Sequence, residues 1–300
     1  MPLPFSRRAA LWLKLARLRL GASRGNRLLC LCVAACSALL SACGPLMQDY
    51  IVPLPALQDR LSPDTRAKRL IVMLPGIYDQ PRDFVREGFV KDLRTRGIEA
   101  DVVMPDAHFG YYEARDVDVR LEQDVFAPAR AQGYKEIWIV GVSLGGLGAL
   151  LYGAAHAESV KGIVLIAPYP GSTRILAEVR QAGGLRAWSG TPEAQGGDER
   201  PALRWFTSAS ASQQRKPDGK SDGKSDAAGH VPEIYLGTGK EDWLFKGQRM
   251  LADVLPPARV NIIDGGHDWQ TWRQVWQDFL DNGPWALEAA KRAHLDRIRL

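Results

Sequence analysis

The sequence lacks cysteine after residue 43. All four cysteines, Cys30, Cys32, Cys36 and Cys43, lie near the start of a chain of 300 residues. A disulfide or a cysteine-ligated zinc site needs several thiols, and a cysteine nucleophile needs one. The body of the protein therefore holds none of these, and any nucleophile there must be another side chain.

Acidic residues are missing from residues 1–42, which carry seven of the 39 lysines and arginines. The rest of the chain has 32 basic and 34 acidic side chains, so the net charge of +5 comes from the N-terminal segment. A basic surface of the kind that attracts nucleic acid is thus not expected in the body. We expect no nucleic-acid partner.

The N-terminal segment also lacks an apolar run long enough to span a bilayer. The uncharged run from Leu28 to Leu40 is shorter than the ~20 residues that a transmembrane helix needs. Basic residues precede this run, and the small residues Ser41 and Ala42 follow it. That order is typical of a secretory signal peptide, with a transmembrane anchor as the alternative.

The sequence Leu40-Ser41-Ala42-Cys43 resembles the lipobox of bacterial lipoproteins. The resemblance implies cleavage before Cys43, lipidation of its thiol and acylation of the new N-terminus, which together give a stable membrane anchor. Gly44, in place of an aspartate, is similar to the pattern sorted to the outer membrane of Gram-negative bacteria. The expected organisation is a signal peptide at 1–42, a lipidated tether and lead-in at 43–67, and a domain at 68–300.

Short apolar runs alternate with helical patterns from residue 69 onward. This alternation predicts an α/β fold with a mostly parallel sheet covered by helices on both faces. The predicted strands are Arg69 to Leu74, Ala100 to Met104, Glu136 to Val140, Lys161 to Ala167, Glu233 to Leu236 and Arg259 to Ile263. The predicted helices are Arg82 to Arg96, Glu113 to Gln132, Gly146 to His156 and Trp269 to Leu280.

Residues 171–230 interrupt the alternation. They are moderately apolar at first and polar from Thr207 to Gly229, and Gln213 to Asp226 contains AspGlyLysSer twice. Such a composition predicts a surface loop. Its lysines alternate with aspartates, which disfavours a nucleic-acid-binding segment.

The segment Gly141-Val142-Ser143-Leu144-Gly145 has the G-x-S-x-G pattern. A predicted strand runs into it and a helix rich in small residues follows, which is the context of a nucleophile elbow. Ser143 is then the nucleophile, and the backbone N–H of Leu144 is a donor for an oxyanion. A glycine-rich turn without catalysis is the alternative.

From Arg69 to Leu280 the chain resembles the α/β-hydrolase superfamily, whose members carry a catalytic Ser, Asp or Glu, and His in that order. The resemblance assigns Asp242 as the acid, with Glu241 as the alternative, and His267 as the base. The second oxyanion donor is expected after the first core strand, at the N–H of Ile77. There Pro75-Gly76 stands where the superfamily often has His-Gly. The resemblance also implies a cap insertion at 171–230, between the sixth and seventh strands.

These residues predict a membrane-anchored serine hydrolase that cleaves a carboxylic ester or thioester of a small molecule or lipid. No metal or cofactor is implied. An acyltransferase of the same fold and a non-catalytic envelope lipoprotein are the alternatives. Two questions stay open: whether Trp188, Trp205 and Phe206 form an apolar entrance or pack against the sheet, and whether His108 lines the pocket.

Overall fold

The computed structural model describes residues 49–190, 199–214, 230–286 and residue 290. These residues belong to the compact unit Gln48–Leu300. The predicted signal peptide, Cys43 and residues 215–229 of the predicted loop lie outside the described residues. Within the described ranges, no helix has the length and apolar character to cross a membrane.

A seven-stranded sheet lies at the centre of the domain. Its strands are β1 (Ala56–Asp59), β2 (Arg69–Leu74), β3 (Asp101–Pro105), β4 (Glu136–Val142), β5 (Gly162–Ile166), β6 (Glu233–Gly239) and β7 (Val260–Ile263). Their order in the sheet is β1-β3-β2-β4-β5-β6-β7. β1 pairs antiparallel with β3, and the other pairs are parallel. The predicted α/β fold with a mostly parallel sheet is confirmed.

Helices cover the sheet on both faces. They are α1 (Pro81–Arg86), α2 (Phe89–Thr95), α3 (Phe109–Glu113), α4 (Val117–Leu121), α5 (Ala127–Ala131), α6 (Leu144–His156), α7 (Thr173–Gln181), α8 (Arg200–Gln214), α9 (Phe245–Ala252) and α10 (Trp269–Asn282). A π-helical segment, Glu122–Phe126, joins α4 to α5, and 3-10 turns lie at Ala157–Ser159 and Pro257–Arg259.

The strand β2 shows why the sheet is covered on both sides. Leu70, Val72 and Leu74 belong to one buried hydrophobic cluster, whereas Ile71 and Met73 belong to another. Successive side chains of a strand point to opposite faces, so a strand buried on both faces has a continuous apolar sequence. The apolar runs of the sequence therefore predict the central strands correctly.

Several sequence-based expectations differ from the structure. β1 lies in the predicted lead-in, where no strand was expected, because three of its four residues are exposed and no apolar alternation marks it. The predicted helix Arg82 to Arg96 is divided at Gly88, whose φ of 87° ends one helix before the next begins. The cap insertion falls between β5 and β6, not between the sixth and seventh strands, since only β1 precedes β2 among the described residues.

The helix α8 extends into the region predicted to be a polar loop. Thr207 to Gln214 are helical because Phe206, Ala209 and Ser210 continue a buried face that begins at Leu203. Ala209 and Ser210 are small enough to pack on this buried face. Because few large apolar residues occur between Thr207 and Gln214, the sequence does not predict a buried helix face there. The hydroxyl of Ser210 is satisfied by the carbonyl of Phe206 at 2.7 Å.

The aromatic residues of the insertion pack against the core. Phe206 is fully buried, and Trp188 and Trp205 are partly buried against the same hydrophobic cluster. The ring of Trp205 lies over Gly153 of α6, within 2.4 Å of the position that a Cβ would occupy there. None of the three lines the cavity beside Ser143. Packing, and not an apolar entrance, is their role in the structure.

Candidate active site

Ser143 lies on a sharp turn between β4 and α6. Its backbone has φ 50° and ψ −114°, a conformation that is strained for a residue with a side chain. Gly141 and Gly145 permit the turn: a Cβ on Gly141 would lie 2.3 Å from the carbonyl oxygen of Gly145. A Cβ on Gly145 would lie 2.2 Å from the carbonyl oxygen of Leu74. The local sequence thus places the serine at the tip of a tight strand-to-helix turn.

Three parallel strands bring the predicted catalytic residues together. β4, β6 and β7 end at the same edge of the sheet, and Ser143, Asp242 and His267 follow them. His267 Nε2 lies 2.9 Å from Ser143 Oγ, and His267 Nδ1 lies 2.7 Å from Asp242 Oδ2. The imidazole can therefore accept the serine proton on one side while the carboxylate holds its other nitrogen.

Asp242 is a buried and fully bonded carboxylate. It accepts hydrogen bonds from the amide of Leu244 at 2.7 Å and from Gln248 Nε2 at 3.0 Å, besides its contact with His267. Burial by itself raises the pKa of Asp242, but the bonds from His267, Leu244 and Gln248 outweigh it and hold this pKa below its ordinary value. Asp242 is thus ionised and oriented toward the imidazole.

The alternative acid, Glu241, points elsewhere. It is exposed, and its carboxylate accepts a hydrogen bond from the backbone N–H of Gly265 in the loop before His267. Gly265 has φ 134°, which lets this loop turn back toward the sheet. The two neighbouring acids therefore contact the histidine loop at different points, one at the imidazole and one at the backbone.

The predicted oxyanion donors flank the serine. Ile77 and Leu144 both line the cavity that holds Ser143. Among the described residues, the backbone N–H of neither one donates to a backbone carbonyl. Leu144 is the first residue of α6, where backbone N–H groups point away from the helix and the dipole favours negative charge. The two amides are thus available to an oxygen that gains charge.

Asp79 holds the loop that carries Ile77. Its carboxylate accepts a hydrogen bond from Trp269 Nε1 at 3.0 Å, and its backbone N–H donates to the carbonyl of Gly76 at 3.2 Å. Because Trp269 begins α10 just after the histidine loop, this bond joins the oxyanion loop to the segment that carries His267. Burial raises the pKa of Asp79, partly offset by the bond from Trp269. The sequence predicts the turn after β2 that carries Ile77, but it does not predict the hydrogen bond between Trp269 and Asp79.

A cavity of about 860 Å³ opens beside Ser143. Its wall is mainly apolar, and α3, α4 and α6 supply much of it. Its lining includes Phe109, Tyr112, Leu147, Leu151 and Trp243. His108 does not line it: its side chain caps α3, with Nδ1 accepting from Gly110 N at 3.1 Å. The predicted helix Glu113 to Gln132 contains α4, but no sequence motif marks α3 or α4 as part of the site.

Metal ligands do not cluster in the described part of the chain. No group of three or more histidine, cysteine, aspartate or glutamate side chains there is placed to hold an ion. The site offers the serine hydroxyl, the imidazole and the two backbone amides. These are the parts that acyl transfer requires.

The hydroxyl of Tyr112 is buried without a hydrogen-bond partner. It lies against α6, 2.4 Å from where a Cβ on Gly148 would be. A buried unpaired hydroxyl costs about 1 to 3 kcal/mol. We expect Tyr112→Phe to raise the free energy of unfolding by about 1 kcal/mol, measured by urea denaturation.

A double variant tests the contact between the Tyr112 hydroxyl and Gly148. Gly148→Ala alone should destabilise the domain through its contact with the hydroxyl, and Gly148→Ala combined with Tyr112→Phe should recover part of that loss. If the effects of the two substitutions on the free energy of unfolding are additive, this contact is wrong, because residues in contact are expected to couple.

The chain is similar to one protein family and to several solved structures. The family described as "Alpha/beta hydrolase family" matches residues 71–294. The substrate-bound serine hydrolase FphF of Staphylococcus aureus is 17% identical with a TM-score of 0.48, over 72% of this chain and 84% of that one. Est1E of Butyrivibrio proteoclasticus is 12% identical with a TM-score of 0.49, over 79% and 94%. No curated protein sequence matches the chain.

Proposed function

The chain belongs to the alpha/beta hydrolase family, and from that premise we propose that it cleaves esters through Ser143, His267 and Asp242. The single observation that carries the proposal is the continuous hydrogen-bonded chain from Ser143 Oγ through both nitrogens of His267 to Asp242 Oδ2. A serine hydroxyl becomes a strong nucleophile only when a base accepts its proton.

The reaction follows from the positions of these atoms. Ser143 Oγ attacks the ester carbonyl as His267 Nε2 takes the proton, and Asp242 stabilises the imidazolium that forms. The oxygen that gains negative charge lies between the amides of Leu144 and Ile77. The imidazolium then protonates the leaving alcohol or thiol. The acyl group remains on Ser143 until water, activated by His267, releases it.

The proposal extends to the location of the enzyme. Lipidation of Cys43 after cleavage of residues 1–42 would anchor the hydrolase in the cell envelope, with the outer membrane of a Gram-negative bacterium as the expected site. The lipobox-like sequence before Cys43 supports this. Intact mass of the membrane-extracted protein tests it, because an intact Met1 or an unacylated Cys43 contradicts it.

A fluorophosphonate probe tests the chemistry, because only an activated serine reacts with it. We expect covalent labelling that maps to Ser143 by peptide mass spectrometry and disappears in His267→Ala. Labelling of a different serine would overturn the assignment, and no labelling would favour a non-catalytic binding protein. Supplying an alcohol or glycan acceptor distinguishes the acyltransferase, since transfer to the acceptor would then exceed release to water.

A further inference from the structure

The first described residues are fixed to the helices beside the active site. The hydroxyl of Tyr111 donates to the carbonyl of Ile51 at 2.7 Å, and the amide of Ile51 donates back to that hydroxyl at 3.3 Å. Tyr50 packs on the ring of Tyr111, with centroids 4.7 Å apart, and its hydroxyl bonds to Asp116. The chain is therefore held to these helices from residue 50 onward.

The same two helices form a wall of the cavity. Tyr112 of α3 and Val117 and Asp118 of α4 line it, next to the residues that hold Tyr50 and Ile51. An α-helix with its side chains is about 10 Å across. The point where the chain joins the domain therefore lies within about one helix diameter of the cavity wall.

The tether from Cys43 to Asp49 is too short to reach around the domain. The six residue-to-residue steps between them span at most about 20 Å when fully extended. A domain of about 250 residues has a radius of gyration near ~18 Å, which corresponds to a sphere of roughly 45 Å across. A lipid on Cys43 would therefore hold the side with α3 and α4 near the bilayer.

Exposed apolar side chains lie on this side and at the mouth of the cavity. Tyr78 and Trp243 both line the cavity and are 70% and 74% exposed. Val52 in the lead-in and Val119 on α4 are 55% and 43% exposed. Tyrosine and tryptophan are enriched where a protein meets a membrane surface, because each ring has an apolar body and a polar group. We call these four residues the mouth surface.

Electrostatic attraction to anionic lipids is not expected beside the mouth surface. The charged cavity residues supplied by α3, α4 and their connection are Glu113, Asp118 and Arg115. Acids outnumber the single base, so attraction to anionic headgroups is not expected. Apolar contact and the acyl anchor would hold this face, which makes zwitterionic vesicles the appropriate probe.

We propose that the mouth surface lies on the lipid bilayer and that the substrate is a lipid ester whose acyl chain enters the cavity from the membrane. The inference rests on the proposed lipidation of Cys43 and on the proposed serine chemistry. The apolar wall formed by Phe109, Leu147 and Leu151 is suited to an acyl chain. The acyl group is then transferred to Ser143 and released by water, while the headgroup portion leaves at the mouth.

Fluorescence quenching in vesicles tests the orientation. The full lipidated chain is placed in phosphatidylcholine vesicles that contain a nitroxide-labelled lipid, and a fluorophore is attached at Val119→Cys or at Val231→Cys. Val231 is an exposed valine before β6, at the sheet edge opposite Ser143, so it is a matched control. We expect several-fold stronger quenching at position 119. Equal quenching, or quenching at neither position, would overturn the proposal.

An activity ratio tests the substrate class. Turnover of a phospholipid in vesicles is divided by turnover of p-nitrophenyl acetate in solution. The double variant Val52→Ser, Val119→Ser should lower this ratio about ten-fold. It replaces two apolar side chains that would leave water when the mouth surface docks on the bilayer, so the gain from their burial is lost. Val231→Ser should leave it unchanged. An unchanged ratio in the double variant would overturn the inference.

The failures can be told apart. If Ser143-dependent turnover of the soluble ester persists while position 119 is not quenched, the bilayer inference is wrong and the serine hydrolase stands. If turnover does not depend on Ser143, the proposed catalytic site is wrong. If intact mass shows an unmodified Cys43, the anchor is wrong and the inferred orientation falls with it.

Discussion

Replacing Ser143 with alanine should lower kcat for p-nitrophenyl esters by about 10⁴-fold to 10⁶-fold. The substitution removes only the oxygen that attacks the carbonyl, and residual turnover would come from binding and the two oxyanion amides. Because Ser143 has a φ of 50°, alanine has to adopt the same strained backbone. Initial rates with short-chain esters, measured beside the near-ultraviolet circular dichroism of each protein, separate lost chemistry from lost fold.

Ser212→Ala is the matched control for this variant. Ser212 lies on the exposed side of α8, and its hydroxyl donates to the carbonyl of Ser208 at 3.1 Å. Its removal should leave kcat and KM unchanged. Turnover by Ser143→Ala close to that of the unsubstituted enzyme, in a folded protein, would show that another group forms the acyl intermediate.

The positions of Ser143 and His267 could be predicted from sequence because the signals around them are local. Glycines at 141 and 145 mark the tight turn, and the apolar run of β4 leads directly into it. Asp264-Gly265-Gly266-His267 after the apolar run of β7 resembles the histidine loop of the α/β-hydrolase superfamily, and this resemblance assigns His267. Where a strand ends and a glycine-permitted turn begins, the sequence alone places a side chain at the edge of a parallel sheet.

The choice between Glu241 and Asp242 could not be made from sequence, since both residues follow the same strand. The structure separates them through contacts that are distant in the chain: Gln248 from α9 and His267 from the loop after β7 bond to Asp242. Burial also differs, because Asp242 is 4% exposed whereas Glu241 is exposed. Such differences depend on how α9 packs, which one strand and its turn do not determine.

The central strands could be predicted because their burial on both faces gives continuous apolar runs. β1 and α8 could not, for opposite physical reasons. β1 is an exposed edge strand held by pairing with β3, so its sequence has no apolar pattern. α8 buries alanine and serine, whose small side chains pack closely without appearing hydrophobic. Context decides the structure of such segments more than intrinsic propensity does.

The cavity wall was the largest part of the site that the sequence did not predict. α3 and α4 are helices of five residues each, too short to form without tertiary contacts. His108 caps the first of them, and Tyr111 ties it to the lead-in. The polar contacts that hold this wall thus come from residues whose sequence suggested only a loop.

Asp242→Asn should lower kcat about 10⁴-fold at neutral pH while the domain remains folded. The asparagine keeps the shape of the side chain but can donate a hydrogen bond to His267 Nδ1. That would leave the proton on Nε2, where it faces Ser143 Oγ, and the imidazole could not accept the serine proton. The asparagine oxygen at the Oδ1 position keeps the bond from the amide of Leu244, and the side-chain amide of Gln248 has to rotate so that its oxygen accepts from the new NH2 group.

Glu241→Gln is the matched control, because it changes the neighbouring acid in the same way. Its bond to the amide of Gly265 can be kept by the glutamine oxygen, so we expect at most a few-fold loss of kcat. The opposite ranking, with Glu241→Gln inactive and Asp242→Asn active, would assign the acid to Glu241. Equal and small losses in both variants would show that His267 works without either carboxylate.

Stability against pH gives an independent readout of Asp242. Its folded pKa is lowered, so the carboxylate stabilises the fold above its unfolded pKa near 3.8 and this contribution is lost as the pH falls through the lower folded value. The difference in unfolding free energy between the enzyme and Asp242→Asn should therefore be constant from neutral pH to about pH 5 and shrink below about pH 4. Urea denaturation across that range measures it. A difference that grows on acidification would mean that the folded enzyme holds Asp242 protonated, which is incompatible with its role beside the imidazolium.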